Sequence, residues 1–311
     1  MERHKWLIDN WLVDGSHGMV IGESKAYKST ILSAMSLSVA TGVPLFGKFP
    51  VTKQGRVLIV QMENDSAGTK YAFKSIEEGG DPQYIKEIKE ARERLHNEIP
   101  IDIYNFTNDI GEGFVLTNED HRDQLEQYIK KNKPVLVILD PLYLLKGELD
   151  VSNPADMEPL LKWVKKIPYM ASKDGKTRKT TVVIATHTRK KANIQGKTNR
   201  ELTFEDIMGT QMFSMWWEFA ILLYHCAESR DGKSYLAAKL QTRYMGISSP
   251  KKIIIDSTPN SFTHLLSSTT TLSSESICNI HSPSLAYSNI LFLASAKFEV
   301  CPKYITLTSL K

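Results

Sequence analysis

Cysteine is scarce. The 311 residues hold three, Cys226, Cys278 and Cys301, at spacings that match neither a metal-ligand pattern nor a disulfide framework. This predicts a chain suited to a reducing cytoplasm. Long apolar runs are lacking too. None approaches the roughly 18 residues of a membrane span, and the opening MERHKWLIDNW has no apolar run of signal-peptide length. A soluble, cytoplasmic protein with no membrane partner is the expectation. Neither sign of charge dominates: 39 basic residues stand against 35 acidic ones, for a net +4. That balance permits nucleic-acid binding without arguing for it. With 41% hydrophobic and 24% charged residues the composition is that of an ordinary globular chain, long enough for one large domain or two small ones.

What is present starts with GESKAYKST at 22–30. The phosphate-cradling loop reads G-x-x-x-x-G-K-[ST]. Gly22, Lys28 and Ser29 meet that pattern, while Tyr27 stands where its second glycine belongs. An apolar GMVI precedes the stretch. STILSAMSLSVATG follows it with helical spacing at Ile31, Leu32, Met35, Val39 and Ala40, closed by Gly42 and Pro44. A strand before and a helix after is the context such a loop requires, and it argues against a chance match.

Further along, GRVLIVQMEND predicts a buried strand, Val57 to Gln61, with acids at its end. A charged helical stretch covers about 67–95. IPIDIYNF reads as a strand, NEDHRDQLEQYIKKN as a helix, and KPVLVILDPLYLL as a buried strand ending in Asp140. A helix from about Pro154 to Ile167 precedes the strand TTVVIATHT. EFAILLYHC and SYLAAKLQTRY read as antiparallel neighbours, and KKIIID as the strand that closes the sheet. Strands alternating with helices imply an α/β fold with a mostly parallel sheet covered on both faces. Ligands of such sheets bind at the carboxyl ends of the strands, which is where the polar residues fall. From about Ser257 the composition turns Ser/Thr-rich, as in SSTTTLSSES. This divides the chain into a domain over 1–256 and a C-terminal segment over 257–311, for which packing on the core, binding a partner and poor order all remain open.

The residue types suit nucleotide chemistry. A triphosphate needs backbone N–H groups, a helix N-terminus and a cation. The loop Gly22, Glu23, Ser24, Lys25, Ala26, Tyr27, Lys28, Ser29 and Thr30 supplies these, with Lys28 for the β- and γ-phosphates and the Ser29 hydroxyl for Mg²⁺. Tyr27 is tolerable there if its φ is negative and its ring points away from the nucleotide, leaving it to stack near the base or cover the phosphates. Asp140, ending an apolar run, is the second Mg²⁺ candidate. Glu63 suits the base that deprotonates an attacking water, with Asn64 and Asp65 as near alternatives. His187 suits a γ-phosphate sensor. The polar, aperiodic stretch from Arg189, Lys190 and Lys191 to Arg200 suits a basic loop on a phosphate backbone, or equally a solvated surface loop. Lys239 and Arg243 suit charge stabilisation from a neighbouring subunit, or a plain charged strand edge.

With these residues assembled, the chain resembles the RecA-like ATPases of the RepA group, the hexameric replicative helicases of small plasmids and related phage and mobile-element ATPases. The resemblance covers roughly 6–256 and rests on WLIDNWLVDGSHGMVIGESKAYKST, LSVATGVPLFGKFPV, GRVLIVQMEND, VLVILDPLYLL, DVSNPADMEPLLKWVKKI, VVIATHTRK and AAKLQTRYMG in that order. It implies a RecA-like P-loop fold with antiparallel C-terminal strands. It also implies Glu63 as catalytic base, Asp140 as Walker-B aspartate, His187 as sensor and Arg243 as trans-acting arginine, with Lys239 as a possible companion. The cofactors implied are ATP and Mg²⁺. The partners implied are further copies of the chain in a hexameric ring and single-stranded DNA. Three features depart from the pattern: Tyr27, the bulky aromatic GTQMFSMWWEF after the histidine strand, and the Ser/Thr-rich C-terminus. The expected function is Mg²⁺-dependent ATP hydrolysis coupled to single-stranded DNA binding or translocation. The alternatives are a nucleotide-binding switch or adaptor with weak hydrolysis, and a recombination or repair ATPase on the same fold.

Overall fold

A computed structural model of the chain describes residues 5–63, 66–78, 82–105, 113–188, 202–207, 212–230, 233–243, 246–247, 251–258, 261–262, 266–268, 300–301 and 304–305. A small antiparallel pair, β1 (Trp6–Ile8) and β2 (Leu12–Val13), leads into β3 (His17–Gly22) and α1 (Lys28–Thr41). Then come β4 (Val57–Gln61), α2 (Ser66–Glu78), α3 (Pro82–Arg94), β5 (Ile101–Asn105), α4 (Glu119–Asn132) and β6 (Leu136–Asp140). Two short helices, α5 (Leu142–Leu145) and α7 (Ile167–Met170), flank α6 (Pro154–Val164) before β7 (Thr181–His187). After α8 (Met212–Trp216) the chain is mainly strand: β8 (Phe219–Arg230), β9 (Lys233–Thr242), β10 (Gly246–Ile247), β11 (Lys251–Thr258), β12 (Ser261–Phe262) and β13 (Leu266–Ser268).

The main sheet is 11-stranded, in the order β12-β11-β9-β8-β3-β7-β6-β4-β5, with β10 on β9 and β13 on β11. From β5 to β8 every pairing is parallel; β8–β9 and β9–β11 are antiparallel. This is the α/β architecture expected from the sequence, a mostly parallel sheet flanked by helices, with the antiparallel strands included. The parallel strands read as unbroken apolar runs because both of their faces are covered. Val20, Val57, Ile59, Ile138 and Val183 join one core with α1, α2, α3 and the β1–β2 pair. Their neighbours Met19, Ile21, Leu58, Val137 and Ile184 join a second core with α4, α6 and α8. The period of two along a strand divides these sets. Helix α1 is buried along nearly its whole length. Two of its buried hydroxyl residues, Ser36 and Thr41, are tolerated there because their hydroxyls donate back to the Leu32 and Leu37 carbonyls.

Two helices differ from expectation. The charged stretch at 67–95 forms two helices, because Pro82 opens the second and has no N–H with which to continue the first. The helix expected to reach Ile167 ends at Val164, and a separate turn begins at Ile167, where Pro168 likewise withholds a donor. The strand KKIIID lies within β11, and β12 and β13 pair with that strand in turn. The aromatic stretch after β7 is core rather than loop over its described part. Phe213, Trp216 and Trp217 are buried, and Trp216 Nε1 donates to the Leu161 carbonyl at 2.9 Å. Asn64, Asp65, the basic stretch 189–200 and most of 257–311 lie outside the described residues. No described helix is long and apolar enough to cross a membrane.

Candidate nucleotide site

The sheet order reverses around β3. From β3 the chain crosses to β4, beyond β6 and β7, and returns to fill the gap, so a crevice opens at the carboxyl ends of these strands. Register aligns those ends: Gly22 of β3 stands opposite His187 of β7, and Gln61 of β4 opposite Asp140 of β6. Residues far apart in sequence are thereby brought to one edge.

The loop 22–30 runs from the end of β3 into α1. Gly22 is needed for close approach, since a Cβ there would lie 2.8 Å from the Leu223 carbonyl oxygen of β8. Ser24 and Lys25 are exposed and Ala26 is buried. Tyr27 caps α1 at φ 54° and ψ 29°, in the left-handed region, and Lys25 is there too at φ 63°. The negative φ set as the condition for a tyrosine at 27 is therefore not met. The chain keeps the conformation a glycine would take and carries the strain, of order 1–3 kcal/mol for a non-glycine residue. The partly buried ring packs against the core that contains α1 and β3. Its hydroxyl is hydrogen-bonded to Ser234 Oγ of β9 at 3.0 Å, and it meets the His225 ring edge-on at 6.4 Å between centroids.

Lys28 is 7% exposed and points back into the loop. Its ammonium donates to the Gly22 carbonyl at 3.0 Å, the Glu23 carbonyl at 2.8 Å and His187 Nδ1 at 3.2 Å. Burial lowers its pKa, opposed by the charges of Asp140, Glu63 and Glu23. Since Lys28 can only donate, His187 Nδ1 accepts and Nε2 carries the ring proton. Burial, then the Lys28 charge, lowers the His187 pKa against the pull of Glu63, which keeps the ring neutral. Tyr143 leans on His187 at 5.7 Å between ring centroids.

Asp140 is 3% exposed. Burial pushes its pKa up to about 6, and Glu63 adds to this; hydrogen bonds from Ser29 and Gln61 and the Lys28 charge resist it. Ser29 and Asp140, one on α1 and one on β6, thus meet directly. Glu63 is exposed just past the end of β4, and its charge is felt at Asp140, Lys28, His187 and Tyr143. Gln61 was missed by sequence reasoning as a site residue. It is buried, bonds the Asp140 carboxylate and accepts from the Met62 N–H at 3.1 Å. Its signal was a polar residue ending an otherwise apolar strand.

Arg243 is not brought to this edge. It follows Thr242, which pairs with Phe219 at the start of β8, whereas Gly22 pairs with Leu223 further along. It is exposed, and its guanidinium donates to the Met215 carbonyl at 2.6 Å. Lys239 lies over the Tyr224 ring at 5.6 Å. Near Arg243, at the amino ends of the parallel strands, Glu218 accepts from Arg178 at 2.6 and 2.7 Å and lies 3.1 Å from His17 Nδ1. Burial would raise the Glu218 pKa, but hydrogen bonds from His17 and Arg178 outweigh it and hold the carboxyl at about 2.

The arrangement can cradle an anion on loop N–H groups, neutralise it with Lys28, place a cation between Ser29 and Asp140, and present a carboxylate and a neutral histidine to whatever is bound. A family model described as an AAA domain matches residues 1–193. No curated protein matches the chain. Among solved structures, a KaiC-like protein of the hyperthermophilic archaeon Pyrococcus horikoshii is similar at 12% identity, over 85% of this chain and 99% of that one, with a TM-score of 0.47.

Proposed function

The chain belongs to the AAA-domain family of P-loop ATPases; we propose that it binds ATP with Mg²⁺ and hydrolyses it and, on the RepA-group resemblance, that copies assemble and move on single-stranded DNA. The observation that carries the hydrolytic part is the convergence of Lys28, Ser29, Glu63, Asp140 and His187 at one strand edge.

The donor set suits the proposed ion. A buried carboxylate beside a serine hydroxyl is the sparse protein contribution Mg²⁺ takes when phosphate and water supply the rest. Burial that raises the Asp140 pKa is relieved when a cation sits beside it. Bound there, Mg²⁺ would neutralise charge developing on the phosphate oxygens. The chain's own residues do the remainder. The Lys28 ammonium would exchange the Gly22 and Glu23 carbonyls and His187 Nδ1 for phosphate oxygens. His187 Nε2–H would then be available to donate to the terminal phosphate. Glu63, exposed at the end of β4, would take the proton of an attacking water. Gln61 would hold the Asp140 carboxylate in place.

Arg243 lies away from its own chain's site, so a catalytic part for it requires a neighbouring copy. That requirement, with the RepA-group resemblance, supports a ring. The basic stretch that begins beyond His187 supports contact with a DNA backbone. A second reading, a nucleotide-dependent switch with weak turnover, is favoured by the strained Tyr27. ATP turnover measured with and without single-stranded DNA, across strand lengths and salt, beside a mass measurement with nucleotide, tests the proposal. DNA stimulation that fades with salt, on an oligomer, is expected. A DNA-independent rate on a monomer overturns the translocation part.

A further inference from the structure

The two strained residues of the phosphate loop are held from one place. His225 Nε2 of β8 lies 3.3 Å from the Lys25 carbonyl, and Ser234 Oγ of β9 lies 3.0 Å from the Tyr27 hydroxyl. The His225 ring meets the Tyr27 ring between them. The β8–β9 register breaks just after His225, a bulge of the kind that re-aims side chains. Lys25 and Tyr27 stand at positive φ while Ala26 between them does not. Alternation of left- and right-handed residues turns successive N–H groups toward one centre, making an anion-binding nest. Glycine reaches such a conformation freely and leaves it as freely; a tyrosine must be kept there.

We propose that the β8–β9 hairpin is a clamp on the phosphate loop, with Tyr27, Ser234 and His225 as positioning residues that keep the nest formed before a triphosphate arrives. Glycine's freedom at 27 is replaced by a side-chain tether to the antiparallel end of the sheet. The consequence for binding rests on the reading above, that this loop takes ATP; the clamp itself does not.

Tyr27→Phe and Ser234→Ala each delete one hydroxyl and leave the Tyr27–His225 ring contact. In the nucleotide-free chain, amide hydrogen exchange over residues 22–30 is expected to quicken about three- to tenfold in either variant, the worth of one hydrogen bond. The KM for Mg-ATP is expected to rise by a similar factor with kcat retained, and the thermal midpoint to fall by no more than the few degrees one hydrogen bond is worth. The double variant should be no worse than Ser234→Ala alone, because that single change has already removed the Tyr27–Ser234 bond, and Ser234→Thr should restore wild-type behaviour. Unchanged loop exchange, additive effects, or exchange raised across the whole chain with a larger fall in the midpoint overturns the clamp. Should the wild-type chain not bind Mg-ATP, the functional reading fails, and the exchange result still decides the clamp.

Discussion

The Lys28 ammonium lies 3.2 Å from His187 Nδ1, across the β3–β7 junction where Gly22 and His187 stand opposite each other in register. The cation is satisfied by this ring and two loop carbonyls, so binding a phosphate is an exchange of partners rather than a capture by a free charge. Charge-assisted bonds to a triphosphate are worth about 1.5–3 kcal/mol each. Lys28→Ala is therefore expected to weaken ATP binding by roughly ten- to a hundredfold or more, read by calorimetric titration, while the circular dichroism of the chain is kept.

Asp140 makes stability pH-dependent. Its pKa is raised by burial to about 6 in the fold from an ordinary value of 3.8. A carboxyl shifted this way stabilises fully below its unfolded pKa and loses that contribution as pH rises through its folded one. Without nucleotide or Mg²⁺ the chain should lose up to roughly 3 kcal/mol between about pH 4 and pH 6. Asp140→Asn should flatten that slope in denaturant titrations and remove the Mg²⁺ dependence of nucleotide binding.

Glu218 has the opposite sense. Held at about 2, below the ordinary value of 4.5, by His17 and Arg178 despite its burial, it contributes stability present above the unfolded pKa and lost as pH falls toward 2. Glu218→Gln leaves Arg178 and His17 without their carboxylate and should cost about 1–3 kcal/mol, since the Arg178 side chain is 38% exposed and can turn to water. It lies at the amino ends of the strands, so ATP affinity should hold in whatever fraction stays folded. Thermal melts and binding on the same sample check both parts.

Much of this was legible in the residues. Parallel strands announce themselves as apolar runs, so VLIVQ, LVILD and TVVIATH are found with their polar ends, and those ends meet at the candidate site. Helix ends at Pro82 and Pro168 were read too long because periodicity outweighed a missing donor. Gln61 went unnoticed because its role depends on Asp140 standing opposite it, a register no single strand states. The tyrosine's partners were beyond reach for the same reason: Ser234 and His225 become neighbours of residue 27 only once β8 pairs with β3.

Tyr27→Gly separates strain from tether. Glycine relieves the left-handed cost and loses both the hydroxyl and the ring. If the tether matters more than the strain, this variant should bind ATP less tightly than the wild type without a rise in turnover. A sharp rise in steady-state turnover would show the tyrosine to be a brake on a competent site.

In the proposed reaction the residues converging on this edge hydrolyse ATP, with Glu63 taking the proton of water. ATP affinity and turnover of the wild type and Glu63→Gln, measured side by side, test it most directly. A loss of turnover of a hundredfold or more with affinity kept is expected. Equal turnover in the two proteins, or tight binding with no turnover in either, contradicts it.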